Sequence, residues 1–474
     1  MGMNHDPDTE PDLDLDLDRS ADPGRAGPSA TVVRVAGPED LLSYIPYRLG
    51  FRPAESVVAV SLTGPRRRVG LVARVDVDDL LDDPPARTAG PSGDGPAAPA
   101  RDGAATARWL TGHVVGDGAD RAVVVLYSDE LGSSSGEGAA SSRPRRAVEV
   151  LRRALERRLP GVEVWAVTST GFRALDCTDP LCCPPGGRPL SLLTSSRVAA
   201  HMVLAGRTVA GTREERYALR PAPEVARTQA RRAAARWAAT YERILAGGAP
   251  GAPGGPGARG SGAAFGPGAA RRVGASSAAA ATPDPAALAR WGEESLGLWR
   301  SAVRQVAALG PGETCTLRPA TLGKIGAALA DTPVRDAVLL SLVANTQEAA
   351  LRTARHEADA ATDAATADVM ARIVDPVRGV VPDTGITGPA RTVLEAVATH
   401  LPRARRAPAY VLLALLAWWH GDGGLAAERV SDALGVDPTH RLAGLLRSAI
   451  AGGVPPGWVR RERDLRCDPG RPVG

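Results

Sequence analysis

Lysine is almost missing from this chain of 474 residues, because Lys324 is the only lysine among 57 basic residues. The abundance of arginine together with alanine, glycine and proline is typical of a GC-rich coding sequence, so the arginine content alone does not indicate a nucleic-acid partner. The formal net charge is only +4, and much of the acidity lies in the first thirty residues. The rest of the chain is therefore somewhat more basic, which predicts at most a weak attraction to anionic partners.

Long apolar runs and a dense set of cysteines are missing as well. The longest apolar run, residues 409–419, is shorter than the about 20 residues that a membrane-spanning helix needs. The N-terminus is acidic and does not show the basic-then-apolar order of a signal peptide. Five cysteines in a chain of this length are too few for a disulfide framework. We therefore expect a soluble protein of the reducing cytoplasm, without a membrane partner.

Two common catalytic motifs are also missing, since the chain has no Walker lysine motif and no HExxH motif. Arginine-rich stretches at residues 143–158 and at Arg403, Arg405 and Arg406 could contact phosphates. An exposed helix surface explains both stretches, and no nucleic-acid-binding module accompanies them. Nucleic-acid binding is therefore the weakest of the functional hypotheses below.

The order of predicted elements indicates two domains. Residues 31–245 combine a hairpin of two β-branched strands with helices that alternate with buried strands, at 122–127 and 162–168 for example, which predicts a mixed sheet with helical crossovers. Residues 284–455 show helical patterns only. The predicted fold class is thus an α/β N-terminal domain plus an all-α C-terminal helical domain.

The remaining segments have a composition that does not support a core of their own. An acidic tail at 1–30 and a linker at 246–283 are predicted to be disordered, and insertions at 82–103 and 131–143 to be flexible. Residues 456–474 form a C-terminal tail.

Three stretches carry a resemblance to a known family. Residues 47–53 read Tyr-Arg-Leu-Gly-Phe-Arg-Pro, and residues 177–187 read Cys-Thr-Asp-Pro-Leu-Cys-Cys-Pro-Pro-Gly-Gly. In the second half, Ala407-Pro408 leads into Leu-Leu-Ala-Trp-Trp and Gly-Asp-Gly before residue 424. Together they resemble an uncharacterised family of high-GC bacteria, domain of unknown function 4192, over most of residues 31–455. The resemblance implies the two-domain plan but no activity, catalytic residue or cofactor.

Residues 407–452 also resemble a single tetratricopeptide unit. Small and apolar residues recur on two predicted helices, with Pro438 predicted to start a third, and they are Tyr410, Leu413, Ala414, Ala417, Ala426 and Val430. Small residues at these positions let two antiparallel helices approach closely. A generic helical hairpin explains the same pattern, and stable arrays need about three repeats.

The most unusual feature of the first domain is a group of three cysteines, Cys177, Cys182 and Cys183, with Asp176 and Asp179 beside them. Thiolates in such a group bind soft metal ions or react as redox pairs. The spacing is not a standard zinc signature, however, and no fourth ligand is evident nearby. Cysteines that only pack as small hydrophobic residues of a rigid loop are the competing interpretation.

The position of this group indicates a ligand site. It follows the strand predicted at 162–168, and open α/β sheets place ligand sites beyond the carboxyl ends of their strands. If that strand is parallel to the one ending at Tyr127, then Asp129 and Glu130 open on the same edge. We therefore expect thiolates and carboxylates to converge there.

The leading functional hypothesis is a non-catalytic protein whose α/β domain binds a ligand or partner at this edge and whose helical domain contacts a protein partner. The alternative is a metal- or thiol-dependent enzyme or sensor that uses the loop of Cys177, Cys182 and Cys183. A weak nucleic-acid binder is the second alternative. The ligand, the cofactor and the oligomeric state stay open.

Overall fold

The structure is a computed structural model that forms two compact units, Met1–Ala218 and Leu219–Gly474. The residues that it describes are 13–16, 32–35, 37–65, 67–82, 102–131, 142–184, 186–247, 283–309 and 317–461. Most of the segments predicted as tails, insertions and linker lie outside these residues, so their predictions stay open.

The first unit is an α/β domain. In chain order its elements are β1 (Leu13–Asp16), β2 (Val32–Val35), α1 (Pro38–Leu49), β3 (Ser56–Thr63), β4 (Arg68–Asp76), α2 (Gly103–Gly116), β5 (Arg121–Tyr127), α3 (Arg143–Glu156), β6 (Glu163–Val167), β7 (Phe172–Ala174), α4 (Ser191–Thr194), α5 (Arg197–Leu204) and α6 (Arg213–Tyr217).

Five strands form a mixed sheet in the order β4-β3-β5-β6-β7. β3 pairs antiparallel with both β4 and β5, while β5 and β6 pair parallel. Consequently β4 and β5 run in the same direction on either side of β3, with α2 as their connection, and α3 connects β5 to β6. The predicted class, a mixed sheet with one hairpin and helical crossovers, is confirmed.

β1 and β2 form a separate antiparallel pair, in which Leu13 and Leu15 lie opposite Val35 and Val33. Within the segment predicted as a disordered tail, residues 13–16 are therefore paired, and the other residues of 1–30 lie outside the described ranges. The alternation of leucine and aspartate in β1 has the period of two that a strand requires.

Helices cover both faces of the five-stranded sheet because its strands are apolar on both sides. Val57 and Ala59 of β3 pack with α2 and α3 in one core cluster. Val58 and Val60 of the same strand pack with α1 and α5 in a second cluster. The unit therefore has three layers.

The second unit is all-helical over the described residues. Its helices are α7 (Glu224–Leu245), α8 (Pro285–Ala307), α9 (Pro319–Ala328), α10 (Thr332–Leu340), α11 (Gln347–Ala354), α12 (Ala360–Val374), α13 (Thr384–His400), α14 (Ala407–Trp419), α15 (Gly423–Leu434) and α16 (Arg441–Ala451). The all-α class predicted for this half is confirmed. Within the described part of the chain, none of the helices combines the length and the apolar character that membrane crossing requires.

The boundary between the units differs from the predicted one, because α7 belongs to the helical unit and not to the α/β domain. Helix α9 approaches α7 so closely at Gly323 that a Cβ atom there would lie 2.0 Å from the carbonyl oxygen of Ala230. The buried residues of α7 include Ala233 and Trp237, but the sequence of the helix does not specify which unit it packs in.

α14 is the most buried helix of the second unit, with every residue except Pro408 buried. It forms a hairpin with α15, where Ala426 and Val430 are buried. The third helix begins at Arg441, capped by His440, and not at Pro438 as predicted. The likeness to a tetratricopeptide unit stays a prediction.

Candidate functional site

The loop that carries the three cysteines is closed at its base by two backbone hydrogen bonds. Phe172 donates its N–H to the carbonyl oxygen of Arg188 at 3.0 Å, and Arg188 donates to that of Phe172 at 2.7 Å. The two segments pack so closely that a Cβ atom on Gly187, where φ is +78°, would lie 2.9 Å from the Phe172 nitrogen. Glycine is required there for both reasons.

Asp179 folds the chain back inside the loop. Its carboxylate accepts the N–H of Leu181 at 2.8 Å. Its carbonyl oxygen accepts the N–H of Cys183, also at 2.8 Å. This turn brings Cys182 and Cys183 back toward Cys177 and leaves Leu181 at an exposed position.

As a result, the sulfur atoms of Cys177, Cys182 and Cys183 all lie within 4.8 Å of one another. The Cys182 and Cys183 sulfurs are 4.0 Å apart. Thiolates bound at about 2.3 Å to one tetrahedral zinc ion lie about 3.8 Å apart. Only a small contraction of the loop is therefore needed to place one soft metal ion between the three sulfurs.

The thiols of Cys177 and Cys183 differ in acidity. The backbone hydrogen bond to Asp179 and the contact with Cys183 lower the pKa of the Cys177 thiol. Burial raises the pKa of the Cys183 thiol, whose residue is only 9% exposed. Cys177 is thus the thiol that loses its proton more readily.

Arg188 contacts the cluster directly and was not predicted from the sequence. Its Nε donates to the Cys182 carbonyl oxygen at 2.9 Å, and its Nη2 donates to the Cys182 sulfur at 3.3 Å. Its Nη1 lies 3.7 Å from Glu39 at the start of α1. A fixed guanidinium at this distance stabilises a thiolate. The sequence signal, an arginine directly after two glycines, is too general to identify this role.

The predicted carboxylates do not join the sulfur atoms. Asp176 pairs with Arg152 of α3 at 3.0 Å, and Asp179 uses its carboxylate in the turn. Among the described residues, no histidine, aspartate or glutamate completes a group with the three cysteines. The expected convergence of thiolates with carboxylates is corrected accordingly.

Asp129 and Glu130 directly follow β5, as expected, but their side chains contact other groups than the cysteines. Asp129 accepts the N–H of Ser169 at 2.5 Å. Glu130 lines a cavity of about 240 Å³ together with Glu55, Asp76, Asp78 and Arg143. Arg143 pairs with Asp78 at 2.6 Å, so this cavity is acidic with one internal counter-charge.

The chemistry available to the cluster follows from its three sulfur atoms. Thiolates prefer soft ions such as Cu⁺ and Zn²⁺ over Mg²⁺ or Ca²⁺. Two neighbouring thiols can also lose two electrons to an oxidant and form a disulfide. Either reaction requires the sulfurs to be close together, whereas cysteines that only pack as hydrophobic side chains need not converge.

The comparisons with known proteins give a family but no activity. The model of a family described as a domain of unknown function, DUF4192, matches residues 38–457. The match extends over parts of both units. No curated protein and no solved structure matches the chain. The chain therefore belongs to the DUF4192 family, as the resemblance in its sequence implied.

Proposed function

We propose that this protein is a binding protein whose α/β domain holds one soft metal ion, Zn²⁺ or Cu⁺, on Cys177, Cys182 and Cys183. The observation that carries the proposal is the convergence of three sulfur atoms within 4.8 Å of one another. Three thiolates satisfy the trigonal preference of Cu⁺, and with Zn²⁺ they leave the fourth position for water or an external ligand.

Charge supports the same proposal. Three thiolates around a divalent ion leave one net negative charge, and the guanidinium of Arg188 lies 3.3 Å from one of the sulfurs to offset it. The cluster is also partly accessible, because Cys177 and Cys182 are not buried. An ion can therefore enter without unfolding the domain.

A binding or sensing role is favoured over catalysis. A metal-dependent hydrolase needs a general base close to the bound water. Within the described residues, no carboxylate or imidazole joins the three sulfurs. A reducing cytoplasm, as the sequence predicts, keeps the thiols available for the ion.

The test is a metal titration of the reduced full-length chain, with a competing chromophoric chelator for Zn²⁺ or Cu⁺. We expect one equivalent to bind, and each of Cys177→Ser, Cys182→Ser and Cys183→Ser to abolish or strongly weaken binding. The matched control is the double variant Cys315→Ser/Cys467→Ser, which removes the other two cysteines of the chain and should bind like the parent.

Binding that is equally weakened in the control, or no binding above buffer, would contradict the proposal. In that case treatment with a mild oxidant distinguishes the remaining interpretations. An internal disulfide within residues 177–183, seen as a loss of two hydrogens by mass spectrometry, would support a redox role. Unreactive thiols would support simple packing.

A protein partner for the helical domain is the second part of this proposal. Its support is an exposed apolar segment at and directly after the end of α12, where Val374, Val377 and Val381 are 39%, 78% and 44% exposed. Such exposed apolar side chains in one short segment are typical of interaction surfaces. Chemical cross-linking of the full chain in lysate should map partner cross-links to this segment, and Val377→Asp should remove them.

A further inference from the structure

The helical unit contains a cavity of about 340 Å³ where the start of α14 meets the end of α15. It is lined by Arg403, Arg406, Tyr410, Ser431 and Asp432, among others. Its lining is thus rich in hydrogen-bond donors, in contrast to the acidic cavity of the α/β domain. It is independent of the cysteine site, which lies in the other unit.

Arg406 is held in place at the cavity wall. Its Nε donates to the carbonyl oxygen of Leu401 at 2.8 Å, and its Nη1 lies 3.5 Å from the hydroxyl of Tyr410. Its Nη2 is engaged by no residue that the structure describes. A guanidinium fixed at one end and open at the other loses little conformational entropy when it binds an anion.

Arg403 lies in the single turn before α14, Arg403–Arg405. It is exposed, and its side chain makes no ion pair or hydrogen bond with the described residues. Two arginines of this cavity can therefore donate to a ligand without giving up an internal partner.

The one carboxylate in the lining is already neutralised. Asp432 accepts a hydrogen bond from Arg429 at 2.6 Å, and the Arg429 side chain is only 7% exposed. The net charge left to the cavity is therefore positive. The N-terminus of α14, a helix of 13 residues that begins directly after Arg406, adds a partial positive charge.

We propose that this cavity binds the phosphate group of a small phosphate monoester. Arg403 and Arg406 supply charged donors, and the hydroxyls of Tyr410 and Ser431 supply neutral ones, a set that matches the several oxygens of a phosphate better than the two of a carboxylate. The volume exceeds that of a phosphate group alone, so it accommodates part of the organic group as well.

The test uses O-phosphoserine as the probe and the full-length chain, with binding followed by calorimetry at low salt. We expect saturable binding that Arg403→Gln weakens about tenfold, the loss that corresponds to one charged hydrogen bond. The Arg403 side chain has no partner in the described part of the chain, so we expect this variant to leave the fold unchanged. Ser431→Ala should weaken binding to a smaller extent.

The matched control is Arg405→Gln, which removes an arginine of the same turn that does not line the cavity. We expect it to bind O-phosphoserine like the parent. Equal weakening by Arg403→Gln and Arg405→Gln would overturn the proposal, because it indicates a general basic surface. Absence of binding at millimolar probe, or tighter binding of malonate than of O-phosphoserine, would overturn it as well.

Discussion

The guanidinium of Arg188 contacts the sulfur of Cys182 at 3.3 Å and its carbonyl oxygen at 2.9 Å. Groups that hydrogen-bond to metal ligands usually change metal affinity by about 10- to 100-fold when they are removed. We therefore expect Arg188→Gln to weaken Zn²⁺ binding by about this factor in a chelator competition. Arg173→Gln is the control, since Arg173 lies on the neighbouring β7 and makes no hydrogen bond to Cys177, Cys182 or Cys183. Equal affinities of the two variants would contradict the role of Arg188.

Asp331 is a buried acidic residue that stabilises the helical unit. It is 7% exposed, caps α10, accepts the hydroxyl of Tyr241 at 2.7 Å and pairs with His356 at 3.2 Å. Burial by itself would raise the pKa of this carboxyl, but the bonds from His356 and Tyr241 lower it overall. The charged carboxylate therefore stabilises the fold at neutral pH, and this stabilisation is lost as the pH falls through the lowered pKa.

We expect Asp331→Asn to lower the free energy of unfolding by about 1–3 kcal/mol at pH 7 and to make the decline of stability in acid shallower. Urea unfolding at several pH values measures both effects. Asp336→Asn, which removes a 39% exposed partner of Arg335, should cost less than about 1 kcal/mol. A variant at position 331 as stable as the parent at pH 7 would disprove this account.

At the scale of elements, the loop of Cys177, Cys182 and Cys183 depends on the close contact at its base. In Gly187→Ala a Cβ atom meets the Phe172 backbone at 2.9 Å, and φ of +78° adds strain. We expect a loss of stability of about 1–2 kcal/mol together with weaker metal binding. Gly186→Ala is the matched control, because a Cβ atom there meets nothing within 4 Å. Thermal unfolding and metal titration of both variants measure these effects. Equal stability and equal metal affinity of the two variants would contradict the role of Gly187.

The elements also show which parts of the fold local sequence determines. α1 begins at Pro38 with Glu39 in its first turn and ends at Leu49, before Gly50, whose left-handed φ of +79° terminates the helix. These signals predicted the helix. β7 was missed because its three residues carry no periodicity and form a strand only through pairing with β6. Arg188 was missed for a similar reason, since its contact with Cys182 depends on the bridge to Phe172.

In the candidate site, too, local sequence determines some contacts and long-range packing determines others. The proximity of Cys182 and Cys183 follows from the sequence, and the return of the chain to Cys177 follows from the turn at Asp179. Glu130 lines a cavity with Glu55 and Asp78, whereas Asp129 accepts the backbone N–H of Ser169, and no local sequence pattern encodes either contact. The contacts of these two carboxylates therefore depend on long-range packing, and the local sequence did not predict them.

At the scale of the whole molecule, the position of α7 sets where the chain can be divided. Gly323 of α9 packs against the backbone of Ala230 in α7, and Trp237 and Ile244 of α7 belong to the core of the helical unit. We expect a fragment of residues 219–474 to unfold cooperatively in a thermal scan followed by circular dichroism. A fragment of residues 246–474 lacks α7, exposes part of that core and should unfold at a much lower temperature or without cooperativity. Equal cooperativity of the two fragments would contradict the boundary at residue 218.

The central claim is that three sulfur atoms of the α/β domain hold one metal ion. X-ray absorption spectroscopy at the zinc edge of the reconstituted full-length chain tests it most directly. We predict a first coordination shell of three sulfur atoms at about 2.3 Å with one lighter atom. A shell of oxygen and nitrogen atoms only, or a spectrum unchanged in Cys177→Ser, would contradict the claim.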